Sequence, residues 1–187
     1  MNHRCLSTSS HPLLRAAVSL ATVVVITPAV AGEPFTAVFA RTCMQYFYKQ
    51  DELRNLMALE SERLPAERSG FFLAGKPGIA WPLTIDSLSY VVSLRDDGIC
   101  AVFAKSADTE NVIKQFELLV AKAPPGPLNA QKLNPPLGPN RGDVASVSYA
   151  WSRAPDEPAM LFTLTIAPKG GFPVQAMASL ALSPLPR

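Results

Sequence analysis

Two cysteines carry the most definite chemistry in this sequence, Cys43 and Cys100. The chain has 187 residues, three cysteines and two histidines. Cys5, His3 and His11 all fall within residues 1–31. That segment has the layout of a cleaved signal peptide. Arg4 and Arg15 are followed by the apolar run Ala16–Ile26, and small residues at Ala29 and Ala31 precede a cut. The run is short against the roughly 20 residues of a membrane span. Cleavage after Ala31 leaves Cys43 and Cys100 as an even pair in an exported protein, which predicts one disulfide. The rival reading is two buried free thiols. Cleavage also leaves no histidine, which excludes Ser-His-Asp and Cys-His catalysis and any His-ligated zinc or iron. Without cleavage, the same segment would anchor the chain in the inner membrane.

Catalysis would then rest on Ser, Lys, Tyr or carboxylates. Glu60, Glu62 and Glu67 lie on a helical stretch at ordinary surface spacing, not as the opposed pair of a glycosidase. Asp86, Asp96 and Asp97 sit near turns. Calcium needs six to eight oxygens, and no loop has an EF-hand pattern. The sequence thus points to no catalytic set, no metal and no cofactor. Arg141-Gly142-Asp143 spells an adhesion tripeptide, but Gly before a strand is ordinary turn chemistry. The leader holds two of the 17 Lys and Arg and none of the 15 Asp and Glu, so the remainder is formally neutral. No basic excess is left for nucleic acid.

Aromatic residues suggest contacts instead. Tyr46-Phe47-Tyr48 are consecutive on a predicted helix, so their side chains span about 200°. They cannot share one narrow core stripe. Tyr46 and Tyr48 are therefore candidate partner contacts. Trp81 and Trp151 suit the core first, with partner or ligand stacking as the alternative.

The elements that must position these residues are legible from period. Phe35, Val38, Phe39, Cys43, Tyr46 and Phe47 have helical spacing within Phe35–Lys49. Further helices are predicted over Asp51–Glu60 and from Leu64-Pro65 to a stop at Gly75. The period then becomes two over 89–94. Arg95-Asp96-Asp97-Gly98 is a hairpin signal, and Ile99–Lys105 returns as its partner. A helix capped by Ser106 or Asp108 carries the stripe Val112, Ile113, Phe116, Leu119, Val120. A loop over about 121–142 holds six prolines, and its length marks it as functional or mobile. Strands follow over Asp143–Ser152 and Ala159–Ala167. Gln175–Leu182 reads as strand or helix. Ser and Thr on the alternate positions suggest a sheet with one wet face. The expected fold is α+β over 32–187: N-terminal helices and one mid-chain helix on one face of an antiparallel sheet of about five strands, with one disulfide. The echo of Ala37–Arg41 (AVFAR) in Ala101–Lys105 (AVFAK) meets two different periods and reads as chance.

Several pieces resemble a family of Gram-negative exported proteins and lipoproteins of unknown function. They are Thr42-Cys43-Met44, Phe72-Leu73-Ala74-Gly75 with Pro77-Gly78 and Ala80-Trp81, Asp97–Ala104, Tyr149–Ser152 and Gln175–Leu180. The resemblance implies an envelope or secreted location and carries no catalytic residues. Three functions stay open. One is a periplasmic or secreted non-enzymatic binding protein with an envelope or secreted protein as partner, no nucleic acid, and no stable membrane insertion after cleavage. Another is a small histidine-independent envelope enzyme. The third is a structural component of an envelope or secretion assembly.

Overall fold

Helix α1 (Pro34–Phe39) opens the part of the chain that this computed structural model describes, residues 34–140 and 142–185. The leader assigned to residues 1–31 and Arg141 of the tripeptide lie outside it. The expected long helix is interrupted. After α1 the chain widens into a π-helical turn, Ala40–Met44, with the Gln45 amide donating to the Ala40 carbonyl. The Thr42 hydroxyl donates to the Val38 carbonyl at 2.6 Å. A side chain that takes a backbone acceptor in this way competes with the regular helical pattern. Helices α2 (Gln50–Glu60) and α3 (Ala66–Phe72) follow.

Among the described residues, seven strands form one antiparallel sheet, not about five. They are β1 (Gly78–Ile85), β2 (Leu88–Arg95), β3 (Cys100–Ala104), β4 (Asn129–Lys132), β5 (Ala145–Ser152), β6 (Ala159–Ile166) and β7 (Ala176–Ser183), in the order β1-β2-β3-β7-β6-β5-β4. The two unanticipated strands are the edges. Pro82 interrupts the apolar pattern of β1, and an edge strand tolerates a missing N–H. β4 is the polar tetrapeptide NAQK inside the proline-rich loop, paired on one side with β5. Edges bury less than central strands, so their sequences need not alternate. Gln175–Leu182 resolves as strand, since its neighbours β3 and β6 pair with it on both sides.

Helix α4 (Thr109–Val120) is capped as its sequence requires, with Asp108 Oδ1 accepting from the Asn111 amide at 3.3 Å. Val112, Phe116 and Val120 are buried. They face α1 and the inner positions of the sheet, including Val92, Val102, Phe162, Leu164 and Leu180. The disulfide Cys43–Cys100 fastens the π-helical turn to β3, with both residues buried. The β1–β2 connection is a two-residue turn with Asp86 at φ 50° and Ser87 at φ 67°. Positive φ at both positions matches the right-handed twist of the flanking strands.

Two outcomes test this packing. Closing a loop of 57 residues is worth about 4 kcal/mol in the chain-entropy account. Cys43→Ser and Cys100→Ser should each lose that much in urea denaturation, with the double variant no worse than either. Additive losses would contradict a shared bond. Ser87→Gly should raise stability by about 0.5 kcal/mol, because glycine adopts positive φ without a Cβ clash.

Candidate binding groove

The sheet presents its core side chains on one face, and the register sets what the other face offers. Ser93, Ala101, Ser179, Thr163 and Ser148 lie abreast across β2, β3, β7, β6 and β5. Phe103, Met177, Thr165 and Ser146 form the neighbouring row. The sequence assigns this face to water, yet Ser93, Ser148 and Thr163 are buried. Two covers account for this.

Towards β1–β3 the cover is α3. Phe72 meets Phe103 edge-on at 5.1 Å, and Phe71 meets Phe72 at the same distance. Towards β5–β6 the cover is the proline-rich loop, which is docked rather than free. The Leu137 amide donates to Ser148 Oγ at 3.0 Å, and the Ser146 hydroxyl donates to the Pro139 carbonyl at 2.7 Å. Ser148 and Ser146 in turn face the hydroxyls of Thr163 and Thr165 at 3.1 and 3.0 Å. At Gly138 the loop backbone presses on this ladder, and a Cβ there would overlap Ser146 Oγ and the Thr165 hydroxyl.

Between the covers a groove of about 820 Å³ stays open. Ala101, Phe103, Met177 and Ser179 line its floor; Phe71 and Phe72 line one side, Pro139 and Val144 the other. Phe172 and Pro173, in the loop before β7, close one end. Phe71 is 56% exposed and Phe172 48%, so two phenyl rings stand in water at its rim. Gln175 holds that loop in place: its Oε1 accepts from the Ala107 amide at 2.9 Å, and its own amide donates to the Ala104 carbonyl.

Arg95 is the one charged residue among the described residues that line the groove. It follows Ser93 on the same face of β2, away from the Phe172 end. One terminal nitrogen, Nη2, pairs with Asp97 Oδ2. This hydrogen bond from Arg95 holds the Asp97 carboxyl below its ordinary range. The Arg95 Nε–H is buried and makes no hydrogen bond.

The residues singled out in the sequence lie elsewhere. Trp81 and Trp151 are 2% and 5% exposed and belong to the core. The Trp151 Nε1–H donates to the Val120 carbonyl at 2.7 Å, and its ring lies 4.5 Å from Phe162. The aromatic triplet divides: Phe47 is buried, Tyr46 is half-buried against the core and Tyr48 is 79% exposed. Glu60, Glu62 and Glu67 are exposed. Asp86 occupies the β1–β2 turn, and Asp96 pairs with Arg54 at 3.2 Å. Among the described residues no group of three or more His, Cys, Asp or Glu can hold a metal.

A second polar cluster joins α4 to β4 and β5. Lys132 Nζ lies 2.7 Å from Glu117 Oε1, and the Tyr149 hydroxyl donates to the same oxygen at 3.3 Å. Burial, then the Glu117 charge, pushes the Tyr149 phenol up, and the hydrogen bond to Glu117 pushes the Lys132 ammonium up. Both groups are therefore protonated at neutral pH and donate to Glu117.

Sequence reasoning missed the groove residues Phe71, Phe72, Phe103, Phe172, Met177 and Arg95. One signal was present. Cys100–Ala104 (CAVFA) is apolar at every position, which marks a strand covered on both faces.

Two measurements follow. Gly138→Ala should lift the proline-rich loop, cost about 1–3 kcal/mol and expose residues 133–140 to limited proteolysis. An unchanged cleavage pattern would mean that the loop is not held by this contact. A raised phenol pKa favours the folded state fully below the ordinary phenol range, and that gain is lost as pH rises through the folded value. Wild type should thus lose more stability than Tyr149→Phe in urea melts taken from neutral pH to above that range. Compared with protein-family models, with curated proteins and with solved structures, the chain matches none of them.

Proposed function

We propose that this chain is an exported, non-enzymatic binding protein and that the groove between α3 and the proline-rich loop is its binding site. The groove itself carries the reading. Ligand sites typically enclose about 300–1,000 Å³, with mostly apolar walls and a few placed polar groups. The volume, the phenyl and methionine lining and the single guanidinium fit that description. Exposed phenyl rings beside an apolar groove suit an interaction site better than a solvated surface.

Export is supported by the leader layout of residues 1–31, by the resemblance to exported Gram-negative proteins, and by the disulfide, which persists in oxidising compartments. Among the described residues no helix is long and apolar enough to cross a membrane. The partner or ligand would then come from the envelope or from outside the cell. The enzyme reading loses support from the protonated Tyr149 and Lys132, and from a groove lining whose described residues include no carboxylate, lysine or histidine.

The test uses a neutral apolar probe, N-phenyl-1-naphthylamine, with the chain purified after export. One saturable site with enhanced fluorescence is expected. Ser179→Phe should fill the floor and abolish it while leaving the thermal transition in place. Absence of saturable binding in the wild type, or binding that survives Ser179→Phe, would refute the groove as the site.

A further inference from the structure

We infer that the groove takes a single-chain amphiphile ending in a carboxylate, with its apolar chain over Ala101, Met177 and Ser179 and its head against Arg95. This inference rests on the groove being the binding site. Three observations favour that occupant over a peptide or a neutral lipid.

The first is what the floor withholds. β3 and β7 are central strands, each paired on both sides. Their backbone groups are spent on the ladder. A peptide strand gains affinity from main-chain hydrogen bonds at an open edge, and here it would find none. An apolar chain needs no such partner, and the lining suits one.

The second is charge. The described lining residues carry one formal charge, the Arg95 guanidinium. It stands on β2 two residues beyond Ser93, about 7 Å along the strand. That places it at the end away from Phe172 and Pro173. The groove is thus largely apolar along its length with a guanidinium at one end, which suits an amphiphile with an anionic head.

The third is the state of that guanidinium. Asp97 engages only Nη2, and its carboxylate is half exposed, where an ion pair contributes little. The buried Nε–H has no acceptor. A buried donor without a partner is costly, and a planar guanidinium fork matches a carboxylate by two parallel hydrogen bonds. A ligand carboxylate that displaces Asp97 would meet Nη2 and Nε together.

Displacement of N-phenyl-1-naphthylamine by dodecanoate, dodecanol and dodecyltrimethylammonium, each as dissolved monomer and at a pH of about 8, tests this. Dodecanoate should displace the probe at about tenfold lower concentration than dodecanol, and the ammonium should be the weakest. Arg95→Met keeps the apolar stem and should erase the preference for dodecanoate over dodecanol. Asp97→Asn should strengthen dodecanoate severalfold and leave dodecanol unchanged, which keeps the proposal testable if Arg95→Met fails to fold. Equal displacement by dodecanoate and dodecanol in the wild type overturns the carboxylate while the groove stands, as does a preference that survives Arg95→Met. Failure of the neutral probe to bind at all overturns both.

Discussion

The bond between Cys43 and Cys100 holds the first helical layer against β3, and β3 is the strand through which the sheet is joined. It pairs with β2 on one side and with β7 on the other. The β1–β2–β3 meander and the β5–β6–β7 meander therefore meet at the strand that carries Cys100. With the π-helical turn fastened there, α1 lies against β3 and against α4. The inner face is thereby filled by Phe35, Phe39 and Phe116 from the helices. The outer face has covers of its own.

Those covers are one short helix and one loop, and they adhere by different physics. α3 is held by an edge-on apolar contact of Phe72 with Phe103. The proline-rich loop is held by a ladder of four hydroxyls that satisfy one another and two backbone groups of the loop. Buried hydroxyls are tolerated because each has a partner. Proline lowers the entropy cost of ordering the loop, since its φ is already restricted. The two covers do not meet. The strip of β3 and β7 left between them is apolar, and its small residues Ala101 and Ser179 make it concave. A groove is the geometric remainder of covering one face with two unlike pieces.

Much of the fold was legible from residue type and period. The turn at Asp96-Asp97-Gly98, the capped α4 with its stripe, and the strands β5 and β6 all carry a local signal that agrees with their tertiary role. The edges β1 and β4 were not legible, because a strand paired on one side can contain Pro82 or read as NAQK without penalty. The outer face was misread for a related reason. Ser146, Ser148, Thr163 and Thr165 alternate with apolar residues as they would on a solvated sheet, and only the loop that docks on them makes them interior. Trp81 and Trp151 declared their size and aromaticity, which suits a core first and a partner second. The structure buries both in the core. The groove-lining Phe71 and Phe172 lie 101 positions apart by their numbers, and no spacing rule connects them.

The tetrapeptide Ala-Val-Phe-Ala occurs at 37–40 and again at 101–104, and it divides what sequence alone determines from what the tertiary structure decides. Its flanks set the local period. The first copy continues a pattern of three and four, and Val38 and Phe39 are buried while Ala37 is exposed. The second follows a hairpin turn, and all four residues are buried. Helix against strand was therefore determined along the chain, by patterning and turn chemistry. Which face of the second copy meets helices, and which meets a groove, was not. Val102 and Phe103 are both large and apolar, and their sequence neighbours treat them alike. Their roles differ because the disulfide and α4 occupy one side of β3, while α3 and the proline-rich loop leave part of the other side open.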